Sequence, residues 1–271
     1  MTAFITHLAF EFKTGLRNPT AMLMNYLFPL GFYAMMGLIM TQINPGFKDT
    51  LVPAMVVFAI MASNLLGLPN PLVDSREAGI YRSFKINGVP ALSILSIPAM
   101  STIFHALIVS AIIVLTAPIF DSSMPKNWLA FTLITLLSAA TFGSIGMLIG
   151  VIATSGRSVV LYTQLIFLPS MLLGGMMLPI EILPEAFQPI AAIFPTTQAM
   201  QAYLGLAYGQ ETLLNPALCV GVLLASCILC FGLAIYLFSW DSRNQNRRGH
   251  PALALLALLP FVAAVILARL I

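Results

Sequence analysis

The chain has 271 residues, 59% of them hydrophobic and only 8% charged, with 12 Lys or Arg against 9 Asp or Glu and a formal net charge of +3. Soluble domains carry roughly 25% charged residues to keep their surfaces in water, so a soluble globular fold is excluded. The positive excess contains no polybasic run and implies no nucleic-acid partner, because basic residues collect on the cytoplasmic rim of membrane proteins.

Residues 3–17 place Phe4, Ile5, Leu8, Phe12 and Leu16 at helical spacing, with His7, Glu11, Lys13 and Thr14 elsewhere on the wheel. This predicts an amphipathic helix lying in the membrane interface. Glu11, Lys13 and Arg17 also break the apolar core that a cleavable signal requires, so the first span is expected to be retained. Asn18-Pro19 then turns the chain into the bilayer, since proline disfavours helix at the preceding residue and fits the first turn of the next.

Long charge-free stretches follow, each with at least the roughly 20 apolar residues needed to cross a hydrocarbon core. They predict spans at 20–41, 51–71, 91–118, 128–154, 158–180 and 213–238, with a seventh at 251–270. A cytoplasmic N-terminus puts Lys13, Arg17, Arg76, Arg82, Lys85, Arg157, Arg243, Arg247 and Arg248 inside and Lys48, Lys126 and Arg269 outside, the orientation favoured by the positive-inside rule. The stretch 186–210 is free of charge but holds Pro189, Pro195, Thr196, Thr197, Gln198 and Gln201, and a crossing there would move Arg243, Arg247 and Arg248 outside. Residues 181–212 are therefore expected to form an external re-entrant hairpin of short helices, dipping into the membrane where other spans cover its backbone. Trp128 and Trp240 fall at span edges, where interfacial aromatics belong. The fold class is all-α and polytopic: one transmembrane domain over 1–240, then a cytoplasmic linker and extra span over 241–271.

Within the spans Asn25, Asn64, Thr102, His105, Thr163 and Gln164 are the conspicuous polar residues. Such groups avoid lipid and face helix contacts or a cavity. His105 reads as an interhelical hydrogen-bonding residue in preference to a ligand or relay, since no acidic partner lies within a span. Gly146 and Gly150 fit a small-x-x-x-small packing pattern. Cys219, Cys227 and Cys230 share one apolar stretch and read as small hydrophobes, with neither a disulfide nor a metal site expected.

Two blocks carry a family resemblance. The charged loop VDSREAGIYRSFKINGVP at 73–90 resembles the corresponding loop of ABC-2 permeases through Arg76, Glu77, Gly79, Arg82, Phe84 and Pro90. The block at 167–203 is similar to that family's fifth span and external hairpin through Pro169, Gly174, Gly175, Pro179, Leu183, Pro184, Pro195 and Thr197. The resemblance runs from residue 1 to about 240. It departs from the family pattern at Gly174-Gly175, where Ser-Gly is usual, at Leu204, where many members carry Arg, and in the extra span beyond 250.

The resemblance implies a permease subunit of an ATP-driven exporter, in the inner (plasma) membrane. Two permease copies, as a homodimer, would pair with two ABC ATPase subunits. The chain itself has no G-x-x-x-x-G-K-[ST] phosphate cradle, so ATP and Mg would sit on the partner subunit, with no cofactor here. Residues 72–85 are expected to form a coupling helix with Arg76, Glu77 and Arg82 as polar contacts and Gly79 allowing close approach. Lys13 and Arg17 offer a second cytoplasmic contact, to the ATPase or to anionic lipid. Gly174, Gly175, Pro179, Pro184 and Pro195 would shape a lid over the substrate exit, and Asn25, Asn64, His105 and Gln164 are candidates for the pathway or for helix contacts. The acid-poor interior fits an amphipathic or lipid-like substrate. Rival readings are an ion-coupled transporter or channel, which lacks its usual buried charges here, an intramembrane enzyme, which lacks a catalytic constellation, and a scaffold or assembly subunit, which stays open.

Overall fold

The structure, a computed structural model, describes residues 2–241 and 249–270. Arg243, Arg247, Arg248 and the side chain of Arg269 fall outside the described residues. The described residues form helices and turns, with no strand among them.

Helix α1, Thr2–Arg17, passes into α2, Pro19–Ile43, across a single residue. Asn18 makes the change of direction by accepting from the amides of Thr20 at 2.9 Å and Ala21 at 3.2 Å, while Pro19 fills a position where an amide would go unpaired. Helix α3, Leu51–Glu77, is the centre of the bundle, and every residue of its Leu51–Ala62 stretch is buried. A hydrophobic run with no polar stripe is what a helix enclosed on all sides requires.

The α3 helix extends past 71, the expected end of the second span, to Glu77. Its π turn at Ser63–Gly67 leaves backbone amides outside the regular ladder, and Pro69 enters at the first position of the helix that resumes. The prolines that mark a helix end in sequence are accommodated there. The single coupling helix expected at 72–85 is consequently divided. Gly79 adopts the left-handed conformation (φ 75°) and separates α3 from a short α4, Ile80–Ile86. Gly79 thus forms a corner, and nothing lies within 4 Å of the Cβ position on its open side.

Helix α5 covers Ala91–Phe120, α6 covers Trp128–Ile152 and α7 covers Gly156–Leu173. Only residues 153–155 join α6 to α7, where Ser155 and Ser158 form a reciprocal capping box. The α7 helix ends at Leu173, short of the expected 180. Gly174 packs so closely that a Cβ there would fall on Thr196 and on the Ser170 carbonyl, and Gly175 is left-handed (φ 78°). After a turn at Ile180–Ile182 and another at Gln188–Ala191 come the short helix α8, Pro195–Ala202, continued by a π turn at Tyr203–Ala207, and the long α9, Pro216–Leu237. The C-terminal segment begins as a 3-10 helix, Pro251–Leu258, and becomes α10, Leu259–Leu270, whose Phe261 and Ala264 pack on Val222 of α9. At about 2.0 Å per residue in the first part and about 1.5 Å in the second, the pair spans about 34 Å.

Among the described residues six helices, α2, α3, α5, α6, α7 and α9, are long and apolar enough to cross a membrane, and the protein is an all-α polytopic membrane protein. Glycines bring α6 directly onto α3. A Cβ at Gly146 would fall on the Asn64 carbonyl, and one at Gly150 would meet Leu72 Cδ1 at 2.8 Å and the Pro69 carbonyl at 3.2 Å. Thr141 Oγ1 of α6 donates to the Leu223 carbonyl of α9 at 3.1 Å, which completes a central trio of α3, α6 and α9. Helices α2 and α7 flank it with most of their surface open.

The connections sort onto two faces. On one, the ends of α3, α6 and α9 meet the α3–α4 corner, here called the loop side. On the other, Lys48 pairs with Asp121 at 3.4 Å and the Ala207 carbonyl accepts from the amides of Lys126 and Asn127, both at 2.9 Å, which gathers the hairpin and two further connections.

Candidate functional site

On the loop side the α3–α4 corner is fastened to three neighbours: α6, the end of α9 with the residues after it, and α1. Arg76, 3% exposed, donates from Nη1 to the Val151 carbonyl at 2.8 Å and from Nη2 to the Ala153 carbonyl. These carbonyls lie at the C-terminal end of α6, where helix carbonyls run out of amide partners and carry partial negative charge. Arg76 is therefore not the surface contact expected from its place in a charged loop. Its planar fork closes the end of α6 instead. Arg82 pairs with Asp241 beyond α9 at 2.7 Å, an exposed pair that raises the guanidinium's affinity for its proton. Tyr81 is buried and packs by its ring on Phe238, 5.7 Å away, which in turn meets Trp240 at 5.2 Å.

The third attachment is α1. The His7 and Phe84 rings lie 5.8 Å apart, which seats α1 on α4. Glu11 turns inward, and burial raises its carboxyl above the ordinary range, partly opposed by the His7 charge. Burial likewise raises the Tyr81 phenol; Arg76 opposes the shift and Glu11 adds to it. Glu11, Tyr81 and Arg76 thus share one electrostatic neighbourhood. Lys13 and Arg17 remain exposed on the outer face of α1. What the corner leaves uncovered is Asp74, Glu77 and Lys85, with Ile80 and an 86% exposed Ile86 beside them.

Inside the bundle the structure brings Asn25 and Asn64 to facing π turns of α2 and α3, at Leu23–Leu27 and Ser63–Gly67. Asn25 Oδ1 lies over Gly67, where an added Cβ would meet it at 2.7 Å. Asn64 Nδ2 donates to the Ile60 carbonyl at 2.9 Å, and Thr163 of α7 donates to the Leu65 carbonyl at 3.2 Å. The looser hydrogen bonding of a π turn makes such carbonyls available to side chains. Asn25 Oδ1, Asn64 Oδ1, Ser63 Oγ and Gln164 Oε1 are buried acceptors with no donor among the described residues. Asn25 Oδ1 thus lies between α2 and α3, Asn64 Oδ1 turns to α6, where a Cβ at Gly143 would meet it at 3.3 Å, and Gln164 Oε1 belongs to α7.

His105 stands apart from these acceptors. It is 1% exposed, meets the Tyr26 hydroxyl through Nδ1 at 2.7 Å, and stacks on Phe12 at 4.3 Å with the rings nearly parallel. One residue therefore ties α1, α2 and α5 together. Tyr33 extends the α2–α5 joint, accepting from Thr116 at 3.1 Å and donating to the Ile113 carbonyl at 3.3 Å. Sequence reasoning missed both tyrosines. Their one visible signal is that they fall seven residues apart, on one face of a helix.

On the opposite side α8 is buried throughout, although it carries Thr196, Thr197, Gln198 and Gln201. Thr197 donates to the Ala191 carbonyl and Gln198 to that of Ala192, both at 2.6 Å, and Thr196 donates to the Ser170 carbonyl at 3.4 Å. Gln201 donates to Glu181 at 3.3 Å and accepts from the Leu214 amide at 3.1 Å. Gly174 and Gly175 form the break before this segment, Pro179 and Pro184 flank the turn at Ile180–Ile182, and Pro195 starts α8. Tyr203, also unforeseen, donates to Thr135 of α6 at 2.7 Å. No cluster of three or more His, Cys, Asp or Glu that could hold a metal occurs among the described residues.

Comparison with known proteins places this architecture. The family model described as "ABC-2 type transporter" matches residues 2–208. The chain is 28% identical over 195 residues to the "Putative transport permease YvfS" of Bacillus subtilis (strain 168), covering 69% of this chain and 78% of that protein. It is 30% identical over 108 residues to "Nodulation protein J" of Rhizobium leguminosarum bv. viciae, covering 39% of this chain and 41% of that protein.

Proposed function

The chain belongs to the ABC-2 type transporter family, and from that premise we propose that it is the permease subunit of an ATP-driven exporter for an amphipathic or lipid-like substrate. The loop side faces the cytoplasm of a cell whose inner (plasma) membrane holds the protein, with the N-terminus on the same side. A separate ABC ATPase, which holds ATP and Mg, docks on the α3–α4 corner, and two permease copies pair in the membrane. Residues 1–240 form the transporting domain, to which the C-terminal segment is an addition.

The observation that carries this reading is the corner itself. It is fixed to the ends of α6 and α9 through Arg76 and Arg82, yet it leaves Glu77, Ile80 and Ile86 uncovered. A firmly anchored element with an open mixed polar and apolar face suits the docking of a partner that pushes. Lys13 and Arg17 stand near enough in sequence to the seated part of α1 to add a second contact. The acceptors of Asn25, Asn64 and Gln164 supply polar points along an otherwise apolar path, suited to a substrate with one polar end. Gly174, Gly175, Pro179, Pro184 and Pro195 shape a plug on the exit side.

The test is reconstitution with the nucleotide-binding subunit that co-purifies in mild detergent, assayed on a panel of amphipathic drugs, lipids and lipid-linked compounds. ATP-dependent efflux is expected, and Glu77→Arg is expected to abolish substrate-stimulated ATP hydrolysis while leaving membrane insertion intact. A chain that purifies alone, or a Glu77→Arg complex that couples normally, would overturn the proposal.

A further inference from the structure

A buried guanidinium is costly to place unless its donors are met by fixed acceptors. Arg76 therefore marks a joint that must be closed in the folded protein, and the joint it closes is the elbow between α6 and α7. Arg76 reaches the Val151 and Ala153 carbonyls. Ala153 leaves helical geometry (ψ 137°), and Ser155 is extended before α7 begins at Gly156. Across the same short connection Val73 of α3, Ala153 and Val159 of α7 form a small cluster of their own, each at most 1% exposed. Ser158 Oγ, in the first turn of α7, accepts from the amides of Thr154 and Ser155, both at 3.0 Å. The elbow is thus fastened to α7 on one side by Ser158 and to α3 on the other by Arg76.

The downstream helix is free to respond. Val160, Leu161, Leu165, Leu168 and Leu172 of α7 are exposed along its outer face, while Thr163 reaches α3 through the Leu65 carbonyl. A shift of the corner carried by Arg76 would tilt α7 about residues 153–155. That would change the spacing of Thr163 from the π turn at Ser63–Gly67. The central contact of α6 on α3 at Gly146 and Gly150 has no such freedom.

We infer that Arg76 is a positioning residue that carries movement of the α3–α4 corner to the elbow at 153–155 and through it to α7. The inference rests on the reading of the protein as an ATPase-driven permease. The guanidinium matters through its geometry as well as its charge, since it binds two carbonyls with separate nitrogens of a rigid fork, whereas a lysine offers a single nitrogen at the end of a flexible stem.

The experiment uses the complete complex in lipid vesicles, with Cys219, Cys227 and Cys230 replaced by alanine and an environment-sensitive fluorophore on Leu161→Cys at the outer face of α7. Without further substitution, ATP should shift the fluorophore's emission and drive transport. With Arg76→Lys the shift should be lost and transport per ATP hydrolysed should fall about tenfold, the scale of about 1.4 kcal/mol of lost coupling, while assembly and ATP hydrolysis persist. Arg76→Gln should behave in the same way. If it fails to accumulate in the membrane, Arg76→Lys decides alone. A normal shift and normal transport per ATP in Arg76→Lys would overturn the inference and leave the proposed function standing. Absence of any ATP-dependent shift or transport in the unsubstituted complex would overturn the proposed function as well.

Discussion

Replacing Gly146 with alanine should force α3 and α6 apart. A Cβ at this position falls on the Asn64 carbonyl oxygen, with the Asn64 carbonyl carbon at 3.1 Å and Leu68 Cδ2 at 3.5 Å. The atom in the way is the backbone of a fully buried residue, so it cannot rotate aside as a side chain would. Overpacking of this kind costs about 1–3 kcal/mol, here near the upper end. The better helix propensity of alanine returns about 1 kcal/mol, which leaves a net loss of about 1–2 kcal/mol. Gly221 of α9 is the control, because nothing lies within 4 Å of its Cβ position. Gly150→Ala should fall between, since its nearest obstacle is Leu72 Cδ1, the mobile end of a side chain, at 2.8 Å. Equilibrium unfolding in bicelles, read by steric trapping, should order the variants Gly221→Ala, Gly150→Ala, Gly146→Ala from most to least stable. If Gly146→Ala proves as stable as Gly221→Ala, the backbone contact between α3 and α6 is wrong.

Gly175→Ala should cost about 1–2 kcal/mol by placing an L side chain at φ 78°, and the same unfolding measurement should find Gly175→Asn milder. Tyr26→Phe should lose about 1 kcal/mol by removing the hydroxyl from His105 and should raise hydrogen exchange in α1, which rests on the same imidazole through Phe12. Burial raises the Glu11 carboxyl, so its contribution to docking α1 is fully present below the ordinary value of 4.5 and is lost as pH rises through the raised value. Hydrogen exchange across α1 should therefore speed up as pH climbs past that range, after correction for the intrinsic rate, and Glu11→Gln should remove the dependence.

The six crossings were legible because a charge-free stretch long enough to span a bilayer has few other physical uses. Charge placement in the loop was legible only as composition. Arg76, Glu77 and Arg82 look alike in sequence, whereas the fold buries the first, exposes the second and pairs the third with Asp241, a residue distant in the chain. The ends of two spans differ from expectation in opposite directions. Pro69 sits within α3 because a π turn precedes it, while Gly174 and Gly175 stop α7 within a stretch that hydrophobicity alone would carry to 180. The polar residues Asn25, Asn64 and His105 were conspicuous in an apolar background, but their partners were not. A tyrosine reads as an interfacial aromatic until a second helix brings a ring nitrogen to its hydroxyl.

Helix α8 has a consequence for how the protein is made. Its Thr-Thr-Gln and second Gln suit neither lipid nor an insertion machine that sorts segments by apolarity, so it cannot enter the membrane by itself. Its seat is built from Ser170 and Ala191, made before it, and from Leu214 at the threshold of α9, made after it. The contact with Leu214 can form only once the threshold of α9 has been synthesised, so α8 gains its full set of partners late. A chain cut before residue 214 would leave Gln201 without its Leu214 partner, which makes the approach to α9 as much an assembly device as a connection.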